Sequence, residues 1–260
     1  MHRVYCVLLL ALGLIGLTAS CAYHYYAGNL RPMDEAVQGE GKRITDDGSV
    51  IFTAGRLEIQ LRPMNDEELN RQFSVATEQG TNPYTYGRTK VFRTNRTPSR
   101  FTVFRLSVKN YAYPKVHIDP TSLYIETDNG RKYFALSFAQ LKIYYRSFSL
   151  GGSGGGAASS GDRSRGMRRG GEYHIWQERQ SILRRTLFAD EMIFSGQERE
   201  GYIVFKTLAP DVAKLTVHIP NIAVRFDFRD QPIETLDVTT RFERDIGREY
   251  PDGRIELARK

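Results

Sequence analysis

Cysteine is nearly missing from this chain: 260 residues carry two, Cys6 and Cys21. Cys6 lies in an apolar N-terminal segment, so a chain that sheds that segment keeps one thiol and closes no internal disulfide. The fold must then hold by burial alone. Long apolar runs are missing too. The longest, Val7 to Leu17, falls short of the ~20 residues a spanning helix needs. The chemistry-bearing patterns are equally thin. Of five histidines, His2 sits at the N-terminus, His24 and His174 have no rigid setting, and His117 and His218 fall on outward strand positions. No two have ligand spacing and no cysteine accompanies them, so no metal site is expected. No serine occupies the strand-to-helix elbow of a hydrolase, and no glycine run ends in the Gly-Lys-Ser/Thr of a phosphate loop. Glu67 and Glu68, with Asp66, suit a helix start; Asp128 suits a turn; Asp227 and Asp230 flank Arg229 on a wet face. None forms the facing carboxylate pair of a glycosidase. The expectation is a non-enzyme with no catalytic residue, cofactor or metal.

What is present begins at the N-terminus. Met1 to Tyr5 carries Arg3, Val7 to Leu17 is apolar, and Thr18, Ala19 and Ser20 are small, which reads as a secretory signal over residues 1–20. Leu17-Thr18-Ala19-Ser20-Cys21 resembles the lipobox of bacterial lipoproteins, with Thr18 where an aliphatic residue is usual. The resemblance implies cleavage before Cys21, lipid on its sulfur and an acyl chain on the new N-terminus. Each buried methylene adds ~0.8 kcal/mol, and two chains already anchor stably. Ala22, rather than an aspartate, follows the cysteine, which implies the outer membrane, facing the periplasm. Palmitate is the expected kind of lipid.

Net charge is +7, concentrated between Arg163 and Arg185, where Arg165, Arg168, Arg169, Arg179 and Arg184 also lie. Such a cluster suits anionic headgroups or an acidic partner. A secreted, lipid-anchored chain rarely meets nucleic acid, so no nucleic acid is expected.

Residues 21–47 lack a sustained period and read as a tether, and 247–260 as a C-terminal tail. Between them, 48–246 reads as one mainly β domain, an antiparallel immunoglobulin-like sandwich with a short N-terminal helix and a helical, glycine-rich insertion. Arg56 to Arg62 alternates as a half-wet strand. Asn65 followed by Glu68 predicts a helix cap, and Leu69 and Phe73 stack a turn apart. Thr77 to Arg100 reads as a surface loop. Phe101 to Val108 changes phase between Val103 and Phe104, which predicts a bulge or a strand buried on both faces. Asn129-Gly130 predicts a tight hairpin between 122–127 and 131–137, and 192–195 with 201–206 predicts another. Inward positions follow at Leu215, Val217 and Ile219, then at Val224, Phe226 and Phe228, with a last strand at 236–242. Short strands without a strand–helix–strand rhythm argue for a sandwich. Phe138, Leu141, Tyr145 and Phe148 keep a helical period, as do Trp176, Leu183 and Leu187. The insert 149–171 between them is too polar and glycine-rich to offset the entropy of ordering. A linker between two domains is the alternative.

Val108-Lys109-Asn110 and Gly201-Tyr202-Ile203-Val204-Phe205 resemble segments of telokin-like immunoglobulin domains in bacterial extracytoplasmic lipoproteins. That resemblance implies a fold and a binding or scaffolding role. Tyrosine beside arginine is typical of protein-binding surfaces, which makes Tyr84, Tyr86, Tyr111, Tyr113, Arg168 and Arg169 the candidate partner-binding residues. The expected function is an outer-membrane lipoprotein serving as a binding or scaffold component of an envelope protein complex, with no small-molecule ligand. The alternatives are a solute- or glycan-binding lipoprotein and an envelope hydrolase.

Overall fold

The computed structural model describes residues 23–76, 82–87, 97–143 and 165–258, the side chains of 74–76 and 165–172 excepted. The signal and lipobox, residues 144–148 with Tyr145 and Phe148, residues 149–164 of the insert, and parts of the 77–100 loop lie outside the described residues. The chain divides into two units. One is Asn29–Arg244; the other joins the termini, Met1–Gly28 with Asp245–Lys260.

The larger unit is an antiparallel β-sandwich. Its first sheet has five strands in the order β11-β6-β5-β4-β3: Glu198–Lys206, Phe101–Asn110, Leu57–Met64, Val50–Ala54 and Lys42–Ile44. The second runs β2-β13-β12-β8-β9: Arg31–Pro32, Pro232–Glu243, Lys214–Phe226, Tyr124–Thr127 and Lys132–Phe134. A short pair joins β7 (Lys115–Val116) to β10 (Ile193–Phe194). Alternation places Leu57, Ile59 and Leu61 of β5 opposite Val217, Ile219 and Phe242 in one core. Phe104 anchors it, its ring 5.9 Å from Phe205 and 5.2 Å from Phe242.

The phase change in β6 is no bulge. Its register runs unbroken against β5 and β11. Phe104, Leu106 and Val108 face the sandwich core, whereas Phe101 and Val103 face outward. On β11, Ile203 and Phe205 point in while Tyr202 and Val204 point out. A strand buried on both faces needs a cover on each. The outer one combines Leu69 and Phe73 of α2 (Asp66–Ala76), Tyr84, Leu141, and Ile182 and Leu183 of α3 (Arg165–Thr186). Here α1 denotes Glu35–Gln38. The Asn65 side chain accepts the Glu68 N–H at 2.8 Å, the cap its spacing predicts. Ser137 and Gln140 exchange bonds in the same way at the helical residues 138–143.

Gly201 is where the cover meets the sheet. The carbonyl of Tyr202 accepts the Phe188 N–H at 3.0 Å. A Cβ on residue 201 would lie 2.8 Å from the Leu187 carbonyl carbon and closer still to the backbone of Phe188.

Several expectations need correction. Residues 29–47 are sandwich rather than tether. Gln38 is fully buried, donating to the carbonyls of Met33 and Arg241 and accepting the Arg241 N–H. These residues close the edge of β13 with polar bonds, which no apolar period announces. The helix α3 begins at Arg165, so 165–171 belong to a helix and not to an unfolded insert. Asn82 to Thr85, expected on the surface, are buried. Ile193–Phe194 pairs with β7 instead of forming a hairpin with β11. The 128–130 turn has three residues: Gly130 alone takes a positive φ (78°) and Thr127 caps it at both ends. In β12, register shifts after Ile219 and Ala223 carry Phe228 beyond the strand to a hairpin tip, where it is exposed.

In the smaller unit β14 (Ile246–Glu249) pairs with both β1 (His24–Ala27) and β15 (Ile255–Leu257). The stretches expected as tether and tail therefore form a sheet of their own. Gly247 is required there, because a Cβ would overlap the Glu256 carbonyl oxygen.

Candidate functional site

The candidate tyrosines do not share one surface. Tyr84 is fully buried, its ring against Phe73 and Tyr202 and its hydroxyl 2.5 Å from that of Thr186. It is core in this fold. Tyr86 is half-buried beside it, with the Arg100 guanidinium 5.4 Å above its ring. Tyr111 and Tyr113 lie elsewhere, at the end of the sandwich where β6 finishes. Arg168 and Arg169 fall in the first turns of α3, with side chains outside the described residues. Cys21 also lies outside them.

Asn110 organises the end of the sandwich. It is 1% exposed, and its side chain donates to the carbonyls of Tyr113 and Ile193 while accepting the Tyr113 N–H, all within 3 Å. This explains the asparagine of the Val-x-Asn stretch: it ties β6 to the loop that follows and to β10. Beyond it, Tyr113 packs half-buried on the core and Tyr111 stays exposed, its hydroxyl 3.3 Å from Glu58. Ser195 donates to the Tyr111 carbonyl. Phe194 is exposed beside Lys115, its partner in register. Lys115 in turn sits 4.6 Å over the Phe226 ring and pairs with Asp230.

The β12–β13 tip completes this end. One Asp227 carboxylate oxygen accepts the N–H groups of Arg229 and Gln231, both at 2.8 Å, and the Asp227 N–H reaches the Gln231 carbonyl. Asp230 takes a φ of 62°, the left-handed conformation such a turn needs. The turn is therefore held rigid while it presents Phe228 at 89% exposure, with the Arg229 guanidinium 5.1 Å from the ring. Phe194 and Phe228 were not legible as surface residues. Alternation suggested that Phe228 points inward, and only the register shifts in β12 reverse that.

A second concavity lies on the helical side. A pocket of about 300 Å³ opens between β11, the Leu136–Phe138 segment, the end of α3 and Pro120–Thr121. Candidate tyrosines are not among its lining residues; Phe138, Leu183, Leu187, Phe188 and Tyr202 are.

Burial shapes the electrostatics. Desolvation pushes the Tyr202 phenol up, partly offset by its bond to Gln72. Desolvation likewise raises the Asp66 carboxyl. His218 stacks on Tyr124 at 4.4 Å, and burial holds it below its ordinary value while Glu126 pulls the other way. His117 bonds Asp190 at 2.7 Å through Nε2. Among the described residues no group of three or more His, Cys, Asp or Glu is placed to hold a metal ion. None of their helices is long and apolar enough to cross a membrane.

Fold and surface together define an antiparallel β-sandwich with a helical cover on one outer face and an aromatic loop end. No protein-family model matches the sequence, and comparison with curated proteins gives no match. Among solved structures, the secreted protein MPT63 of Mycobacterium tuberculosis aligns over 68% of this chain and 90% of that one. Its identity of 10% and TM-score of 0.29 are too low to carry an argument.

Proposed function

We propose that this protein is a lipid-anchored, non-catalytic scaffold or binding component of a protein complex in the cell envelope. It sits at the outer membrane and faces the periplasm. The observation that carries the binding role is the Phe228 tip. An aromatic side chain at 89% exposure on a hydrogen-bonded turn loses little conformational freedom when it enters a socket, and such residues dominate interface energetics. Tyr111 and Phe194 are exposed as well, and charges of both signs lie around the turn: Lys115 with Asp230, Arg229, and the Arg225–Glu234 pair. That mixture suits a protein surface better than an anionic bilayer. The anchoring half of the reading rests on the lipobox resemblance at Cys21.

Position supports the same role. The β13 strand leaves the tip at Pro232 and ends at Glu243, which pairs with Arg31 near the point where the chain enters the sandwich. At ~3.3 Å per residue, twelve residues separate tip and entry by roughly 40 Å. A domain tethered through its N-terminus would present Phe228 well away from the entry point.

Two measurements test the reading. Affinity purification from detergent-solubilised membranes should recover a partner with the wild type and lose it with Phe228→Ser, whose turn bonds are all backbone or Asp227. Recovery of the protein alone across several detergents would sink the scaffold role. For the anchor, Cys21→Ser should abolish incorporation of labelled palmitate; a variant that still carries the label would refute it.

A further inference from the structure

We propose that the pocket beside β11 is a binding site for a small amphipathic carboxylate, its apolar body in the pocket and its carboxylate on Arg184. The pocket exists because two chain segments cap the edge strand β11 and then part. The α3 exit docks through Phe188 N–H on the Tyr202 carbonyl at 3.0 Å, and the β9 exit docks through Leu136 N–H on the Val204 carbonyl at 2.7 Å. In between, the walls are Leu136, Phe138, Leu183, Leu187 and Val204, closed on one side by Pro120. The volume, about 300 Å³, stands at the lower limit of ligand pockets, ~300–1,000 Å³. It has room for about ten water-sized groups at ~30 Å³ each, which suits a medium-length aliphatic body.

The polar groups decide the head. Thr121 donates its hydroxyl to Asp119, Ser137 is engaged with Gln140, and the Asp190 carboxylate bonds His117. Each is already satisfied by a neighbour. Arg184 is not matched in this way. Its guanidinium stacks 5.2 Å over the Phe138 ring, at the pocket wall, and among the described residues no carboxylate lies within ion-pair distance of it. The charged residues lining the pocket are Arg184 and Asp190, and with Asp190 engaged by His117 the guanidinium is the cation left for an acidic head. A stacked guanidinium is a planar fork matched to a carboxylate.

The probe is octanoate, titrated calorimetrically against the full chain in nanodiscs, with empty nanodiscs subtracted and octanol run in parallel. A carboxylate paired with a solvent-exposed guanidinium gains ~0.2–1 kcal/mol, or up to roughly fivefold in affinity. Saturable one-to-one binding of octanoate is expected, with octanol weaker by up to about fivefold. Arg184→Gln, at an exposed position, should weaken octanoate by the same factor and leave octanol unchanged. Ala189→Phe should fill the space and remove both. No saturable octanoate signal overturns the proposal, as does octanoate binding unchanged in Arg184→Gln. If Ala189→Phe melts below the wild type, Arg184→Gln alone decides, through the contrast between acid and alcohol.

Discussion

Gly201→Ala tests the joint between the helical cover and the sheet. The new methyl would stand 2.8 Å from the Leu187 carbonyl carbon and nearer still to Phe188 N and Cα. Restoring an ordinary carbon–carbon separation of ~3.5 Å takes a retreat of about 0.7 Å at Leu187 and more at Phe188. The obstacle is backbone, so no side-chain rotation relieves it. The same retreat stretches the Phe188–Tyr202 hydrogen bond from 3.0 Å past its useful range, forfeiting ~1 kcal/mol. Overpacking strain adds ~1–3 kcal/mol. A total near 3 kcal/mol corresponds to a Tm lowered by about 6–12 °C in a domain of this size. Thermal unfolding followed by near-ultraviolet circular dichroism reads the shift, and hydrogen exchange should show lost protection along Trp176–Leu187. Gly130→Ala is the comparison: nothing lies within 4 Å of a Cβ there and only a positive φ is strained, so ~1–2 kcal/mol is expected. A Gly201→Ala melt that coincides with the wild type would refute the close approach of α3 to β11.

Other perturbations reach other parts of the molecule. Phe205→Ala removes a fully buried ring from the sandwich core and should cost ~3–5 kcal/mol, measured by denaturant unfolding; a loss under ~1 kcal/mol would mean that the site collapses without a cavity. Asn110→Ala removes the donor to the buried Ile193 carbonyl and the half-buried Tyr113 carbonyl at ~1–3 kcal/mol, and exchange at residues 111–116 and 193–197 should rise with it. His218 resists in the folded chain a proton that the unfolded chain takes up, because burial depresses it. Its contribution is therefore intact above ~6.5, the unfolded value, and is lost as pH falls toward the lower folded one. His218→Gln should flatten the acid-side slope of stability over that window; an unchanged slope would assign the pH dependence to other groups.

The legible parts of this fold were those whose signal is local. The strand β5 follows from strict alternation at Leu57, Ile59 and Leu61, and α2 from the spacing of Asn65 and Glu68 ahead of Leu69 and Phe73. The strands β2 and β3 did not, because they are two or three residues long and their pairing is set by partners far along the chain. Gln38 makes the point: a fully buried polar side chain carries no hydrophobic period. Tyr84 illustrates the reverse. Nothing around it in sequence distinguishes a core tyrosine from a loop tyrosine, yet β6 and β11 require something to cover Phe101, Val103, Tyr202 and Val204. The two-phase pattern of β6 was thus the signal for the helical cover, and reading it on both strands together would have placed Tyr84 inside. Among the exposed aromatics, Tyr111 was legible as a surface residue and Phe228 was not. The alternation Val224, Phe226, Phe228 assumes an unbroken strand, and the register shifts break it.

The order of strands in the two sheets bears on how such a chain can be exported. Sheet one takes four strands from the first 110 residues and its fifth, β11, from 198–206; sheet two sets β2 at 31–32 against β13 at 232–243. A nascent chain cannot complete sheet one before residue 206 has emerged, nor sheet two before residue 243, and loop closure over some 200 residues must precede the final contacts. At the envelope location proposed above, such a chain would thread a translocation channel unfolded without competing against its own native state, and would fold only once released at the far side. The complementary hazard is an incomplete chain, which would expose both unpaired sheet edges and half a core, so truncation beyond β11 should yield aggregate rather than a smaller domain.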